Sequence, residues 1–251
     1  MSDPAPIIGP DALPPERERE PFWGWTDVVL FAVGAPVFIA GVAIVLHTLL
    51  LILHWPAGTA LAMLGMQSLL YVAAYGLLWL ILMVRHSESA WDALRWAVRP
   101  VTGVRLFAAG FALAFAAALF GLALQAPKID NPVVKFMSDP VSILAIVVFA
   151  STLGPAAEEA VFRGFLQPVA TRSLGTAGGI ALTSLVFAAL HGFEYRWCWQ
   201  YLVLVFAASL AFGWTRVRWR STGASTLLHA GYNLMFFIGY LFQGRISLTH
   251  G

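Results

Sequence analysis

The stretch GPAAEEAVFRGF, from Gly154 to Phe165, sets Glu158, Glu159 and Arg163 within six residues and between long apolar runs. Of the thirteen acidic residues, only these two glutamates fall at membrane depth within an apolar segment. An ionised carboxylate at that depth costs at least roughly 2.5–3.5 kcal/mol, so such groups face a bundle interior or a water-filled cavity. Glu159 and Arg163 stand at i and i+4, on one helix face and in the favourable order for an ion pair. Glu158 is rotated by about 100° from Glu159 and lacks that arginine as a direct partner. One carboxylate is thus braced by a cation, and the other is left for chemistry.

Two further clusters lie in later apolar segments. FAALHGF places His191 one turn after Phe187, and STLLHAGYN places His229 and Asn233 at i and i+4. His47, alone in the first segment, reads as a structural core residue. A glutamate in an apolar, partly wet pocket suits general-base work near neutral pH. A neutral histidine can orient the same water. A second histidine and a carboxamide can donate to a developing oxyanion, each donor contributing about 10²–10³ in rate. These are the parts for water attack on an amide. The same glutamate and two histidines also form the ligand set of a two-histidine, one-carboxylate zinc site, although the HExxH helix is absent. No Gly-x-Ser-x-Gly elbow is present, and Cys198 stands apart from the pattern.

The elements that must position these groups are apolar helices. Hydrophobic residues make up 59% of the 251 and charged residues 11%, with a mean hydropathy of +0.77. A soluble domain carries about 25% charged residues. Seven apolar segments, near 27–53, 60–84, 103–125, 140–160, 176–193, 198–215 and 223–242, are each on the scale of the roughly 20 residues that span a bilayer. The expected fold is all-α, a polytopic transmembrane helical bundle of about seven to eight spans with a catalytic polar core. A disordered polar tail would occupy 1–21 and one transmembrane domain 22–251, with the core that carries these motifs at about 140–243. His86–Gly103 reads either as a short interfacial amphipathic helix or as a solvated loop with aromatic anchors. Gly178–Gly179 reads as a close-packing site or a hinge.

The single cysteine excludes an internal disulfide, and the net charge of +2 points away from nucleic acid. Ten of the fifteen basic residues fall in the tail and the even-numbered loops, four fall opposite, and Arg163 lies within the membrane. That bias puts the N-terminus in the cytoplasm. The polar residues lie near segment ends assigned to that side, which leads us to expect cytoplasmic water access.

EExxxR (Glu158, Glu159, Arg163), FxxxH (Phe187, His191) and HxxxN (His229, Asn233), in order and in apolar context, resemble the CPBP intramembrane proteases. This is the family of the type II CAAX prenyl endopeptidases and the bacterial Abi-like proteins. The resemblance implies an endopeptidase in which Glu158 activates water and His191 helps to position it. His229 and Asn233 would stabilise the tetrahedral oxyanion, and Glu159 and Arg163, with Phe187, would support the site. The family is described both as metal-dependent and as metal-free. Because the Asn/His pair already supplies an oxyanion hole, no cofactor is expected, with zinc on Glu158, His191 and His229 as the alternative. The expected partners are the lipid bilayer and a membrane protein or lipidated, CAAX-type peptide as substrate, and the expected location is a bacterial inner (plasma) membrane. The alternative function is a non-catalytic scaffold or immunity factor of the same fold.

Overall fold

A computed structural model describes residues 21–54, 59–87, 90–129 and 132–242. The expected disordered tail lies outside them except for Pro21. The described residues form α1 (Trp25–Ile52), α2 (Ala60–His86), the one-turn α3 (Ala90–Ala93), α4 (Pro100–Ala123), a 3₁₀ turn (Pro132–Phe136), α5 (Pro140–Ser151), α6 (Leu153–Glu159), a π-helical segment (Ala160–Leu166), α7 (Gln167–Leu190), α8 (Trp199–Trp219) and α9 (Thr222–Phe242). No strand occurs among them. Among the described residues, five stretches are long and apolar enough to cross a membrane: α1, α2, α4, the run Pro140–Leu190, and α8. In hydrocarbon the backbone must satisfy its own hydrogen bonds, which helices do. Apolar side chains such as Val33, Val37, Ile44 and Leu51 line the outer face of α1. His47 also lies on an exposed face of α1, so its expected place in the core is not where the structure puts it.

The run Pro140–Leu190 is not one rod. Gly175 takes φ +72° and ψ 169°, a left-handed conformation that glycine adopts at little steric cost. A Cβ on Gly179 would lie 2.5 Å from the backbone nitrogen of Thr171. Residues eight apart in a straight helix are about 12 Å apart along the axis, so the chain reverses at Gly175 into two antiparallel arms. Of the two readings of the glycine pair, Gly179 serves close packing, and the turn belongs to Gly175.

The first arm differs from expectation in length. The sequence suggested a segment ending near 160 with the glutamates at its end. Instead, helix continues to the turn, because polar side chains are bonded inside the protein and not in a loop. Arg163 Nη2 donates to Ser209 O (3.0 Å), and Gln167 Nε2 donates to Gly213 O (3.0 Å). Glu158 and Glu159 therefore lie well inside the arm.

The 86–103 connection also departs from both expected forms. Among the described residues between α2 and α4 the only helix is α3, after which Leu94 tucks into an apolar cluster with Trp23, Leu78, Leu82, Ala160, Phe165 and Val169. Thr222 ties this loop to the start of α9 by donating from N to Arg95 O (2.8 Å) and from Oγ1 to Leu94 O (2.5 Å). Residues 88–89 of this stretch lie outside the described set.

Small residues fix α9 against α4. A Cβ on Gly110 would lie 2.3 Å from Leu228 O, and one on Gly231 would lie 2.0 Å from Phe107 O. Backbones in such contact need glycine on both sides, as membrane helices often use.

Candidate active site

The local chain explains why the motif helix bends where it does. Pro155 has no N–H, and its ring conflicts with the carbonyl four residues back, that of Ser151. The helix breaks there, at Thr152 (φ −134°, ψ −80°), and restarts as α6. Tyr75 OH donates to Ala156 O (2.9 Å) and Ala157 O (3.1 Å), fixing the restarted turn against α2. The π-helical segment follows directly after Glu159. Such wider turns rotate side chains relative to a regular helix and concentrate at functional sites.

Behind the site lies a buried polar cluster. Glu159 and Arg163 are both 0% exposed, with Arg163 Nη1 3.1 Å from Glu159 Oε1. The guanidinium also reaches Ser209 Oγ (2.5 Å) and lies 4.8 Å from the centre of the Phe187 ring and 5.5 Å from that of Phe212. Stacking on aromatic faces compensates part of its lost hydration. Ser225 Oγ donates to Glu159 Oε2, and His229 Nδ1 lies 3.0 Å from Glu159 Oε1. One carboxylate thus gathers a guanidinium from the π-helical segment and a hydroxyl and an imidazole from α9.

In front of that cluster a cavity of about 430 Å³ is lined by Glu158, Phe187, His191, His229 and Asn233, among others. An acceptor fixes the ring orientation of each histidine. His191 Nδ1 donates to Phe187 O (2.8 Å), the bond that the one-turn spacing of FxxxH provides. His229 Nδ1 faces Glu159, while its Nε2 stands 3.8 Å from Glu158 Oε2. Its ring stacks on Phe212, with centroids 4.3 Å apart and planes 19° apart. Asn233 Nδ2 donates to Ala150 O (2.9 Å). Glu158, with its side chain 27% exposed, makes no such set of bonds and borders the cavity.

The structure therefore brings Glu158, Phe187, His191, His229 and Asn233 to one cavity and sets Glu159 and Arg163 behind it. Residues that the sequence reading missed complete the assembly: Ser225, Ser209, Phe212, Gln167 and Tyr75. For two of them a signal existed, since Ser225 lies four residues before His229 and Gln167 four after Arg163. The others come from helices that carry no motif. As for zinc, no three His, Cys, Asp or Glu among the described residues form a group that could hold a metal ion.

The cavity is lined by the first half of α2 (Met63, Gln67, Tyr71), by Val133 and Met137, and by Glu194, Tyr195 and Tyr201. These belong to the end of the bundle opposite Arg85, Arg95, Arg172 and Arg216. The first arm runs on beyond Glu158 to Gly175, so the site lies above that end and not at it.

Residues 140–235 match the family model of the type II CAAX prenyl endopeptidase Rce1-like proteins. This segment is an Rce1-like domain. It holds all seven motif residues and spans α5 to most of α9, whereas α1, α2 and α4 lie outside the match. No curated protein and no solved structure matches the chain. Peptidase activity is what the Rce1-like family implies, and the long apolar helices agree with an integral membrane protein.

Proposed function

We propose that the chain is an intramembrane endopeptidase in which Glu158 is the general base. The observation that carries this reading is the meeting of Glu158, His191, His229 and Asn233 at one cavity, with a second carboxylate held out of reach behind them. A water held between Glu158 and His191 loses a proton to Glu158 as its oxygen attacks the scissile carbonyl carbon. The carbonyl oxygen takes the negative charge, and Asn233 and His229 donate to it. Collapse breaks the C–N bond, and Glu158 returns the proton to the amine. Because His229 Nδ1 is committed to Glu159, Nε2 can donate only when the ring carries both protons. Glu158, Glu159, Arg163 and His229 then sum to zero charge, which suits a cluster shielded from water.

The metal-free route is the one proposed, since the Asn/His pair supplies the oxyanion donors. Substrates would be membrane proteins or lipidated peptides, with CAAX-type ones among those to test. We further place seven spans in one membrane domain over 22–251: α1, α2, α4, the two arms meeting at Gly175, α8 and α9. The protease core would occupy about 140–243. The arginine-rich end would face the cytoplasm, with the N-terminus, in a bacterial inner membrane. The test is mass-spectrometric cleavage of a panel of prenylated and unprenylated peptides by the purified protein, with Glu158→Gln as control. Cleavage by wild type alone supports the assignment. Cleavage by both would remove Glu158 as base, and cleavage by neither would favour a scaffold.

A further inference from the structure

We infer that Tyr75 and Trp23, both outside the Rce1-like segment, are positioning residues for hydrolysis: they grip the two ends of the π-helical segment and so set where Glu158 and Glu159 point. Each end of that segment supplies an observation of its own.

The first end is where the hydrogen-bond ladder changes. Gln167 N donates to Phe162 O, the five-residue spacing of a π-helix. Seven residues earlier, Ala160 N is shared between Ala156 O and Ala157 O. A shared N–H leaves each carbonyl short of a full donor. Tyr75 OH stands 2.9 Å from Ala156 O and 3.1 Å from Ala157 O, and its one proton makes up the deficit. These two carbonyls immediately precede Glu158 in the chain. One turn earlier on α2, the Tyr71 ring stacks on Phe149 of α5, with centroids 5.9 Å and planes 9° apart. Thus α2 holds the chain on both sides of the break at Thr152.

At the far end, Trp23 Nε1 donates to Phe165 O (2.9 Å), and the two rings stack with centroids 5.9 Å and planes 18° apart. Both residues are buried. Trp23 is itself fixed, since Arg172 donates from Nη2 to Trp23 O (3.1 Å) and from Nη1 to Pro21 O (2.8 Å). Between the two grips, a Cβ on Gly164 would lie 2.6 Å from Leu94 Cδ2, so the middle of the segment is pressed against the 86–103 connection.

The wide turn matters because it sets rotation. Losing its extra residue would turn the chain before it by about 100° relative to the chain after it. Glu158 and Glu159 stand before it and Arg163 within it, so either Glu158 would leave the cavity or Glu159 would leave Arg163. Smaller displacements already count, since a misplacement of about 1 Å can cost about 10²-fold in rate. Neither Tyr75 nor Trp23 is among the described residues that line the cavity, so both act through the backbone of the motif segment. The unit that performs hydrolysis then extends to Trp23 and α2, beyond residues 140–235. Their role in hydrolysis rests on the peptidase reading, whereas the grip itself does not.

The test uses the full chain in detergent with Tyr75→Phe and Trp23→Phe, which keep an aromatic ring and remove the donor. Trp25→Phe is the control, because it removes a bond to Ser173 Oγ (2.7 Å) beyond the segment. Tyr75→Phe and Trp23→Phe should each lower kcat at least about tenfold with KM within about twofold, and Trp25→Phe should leave both unchanged. Amide hydrogen exchange over 156–167 should quicken at least about tenfold in the same two variants, with α8 as protected as before. Unchanged kcat in both variants, or a raised KM at constant kcat, overturns the inference. Exchange that quickens across the whole protein as activity falls makes the two residues general stabilisers and overturns it too. A wild type that cleaves no peptide fails the peptidase reading, and exchange over 156–167 then decides the grip: unchanged exchange in both variants overturns it.

Discussion

Glu159→Gln should be among the most destabilising single changes in the protein, although it alters one atom of a residue outside the cavity. Glu159 pairs with the Arg163 guanidinium and accepts from Ser225 and His229, and all four side chains are buried or nearly so. Glutamine keeps one acceptor oxygen and loses the charge. The guanidinium of Arg163, 0% exposed, is left with the Ser209 oxygens and three aromatic rings. Removing one partner of a buried ion pair typically costs about 3–5 kcal/mol, because the other charge stays behind unpaired. Replacing both members by groups of similar volume without charge is often close to neutral. Glu159→Gln combined with Arg163→Met should therefore recover at least about 2 kcal/mol of the loss, a coupling expected for groups in direct contact. Hydrolysis should not return with the fold, because His229 Nδ1 has lost its anionic acceptor. Unfolding in mixed micelles, followed by tryptophan fluorescence with peptide cleavage in parallel, reads both quantities. A loss under about 1 kcal/mol for Glu159→Gln, or a double variant no more stable than the single one, would refute the reasoning.

Three further outcomes follow from the geometry. Glu158→Gln should lower hydrolysis by about 10²–10⁴-fold, the range of general-base catalysis, with stability nearly unchanged because Glu158 borders the cavity and anchors no buried cation; peptide cleavage and micellar unfolding measure the two. Gly231→Ala would drive a methyl to 2.0 Å from Phe107 O, costing about 1–3 kcal/mol or more and displacing His229 and Asn233 with α9, so that Tm and activity should fall together. Asp139 caps α5 by accepting from Val141 N and Ser142 N, both at 3.0 Å, and from Ser142 Oγ at 2.5 Å. The bond from Ser142 holds its carboxyl below the usual carboxylate range. Its folded value is thus depressed, so the cap contributes fully above the unfolded value and is lost as pH falls through the folded one. Hydrogen exchange at Ser142, compared with Asp139→Ala, should show protection at neutral pH that vanishes in acid; equal protection in both proteins at neutral pH would contradict it.

The parts of this protein written in local spacing were legible from the sequence, and those written in tertiary contact were not. The i,i+4 pairing of Glu159 with Arg163 is visible because one helix carries both. The bond from His191 Nδ1 to Phe187 O is the one-turn spacing made physical. Hydropathy located the long helices to within a few residues at most of their ends. It failed at the first arm, where Arg163 and Gln167 look like the end of a span until Ser209 and Gly213 are seen to receive them. It failed again at Leu94, an ordinary leucine in a polar connection that serves as part of the core. The side of access could not be read from segment ends either. Access depends on how helices pack, and much of the cavity lining comes from α2 and α8, which carry no motif.

The most direct measurement is hydrolysis of a cleavable peptide in H₂¹⁸O by the purified protein and by Glu158→Gln. The account predicts one ¹⁸O in the newly formed carboxyl group and product from the wild type alone. Product formed at the same rate by Glu158→Gln would contradict it at its centre.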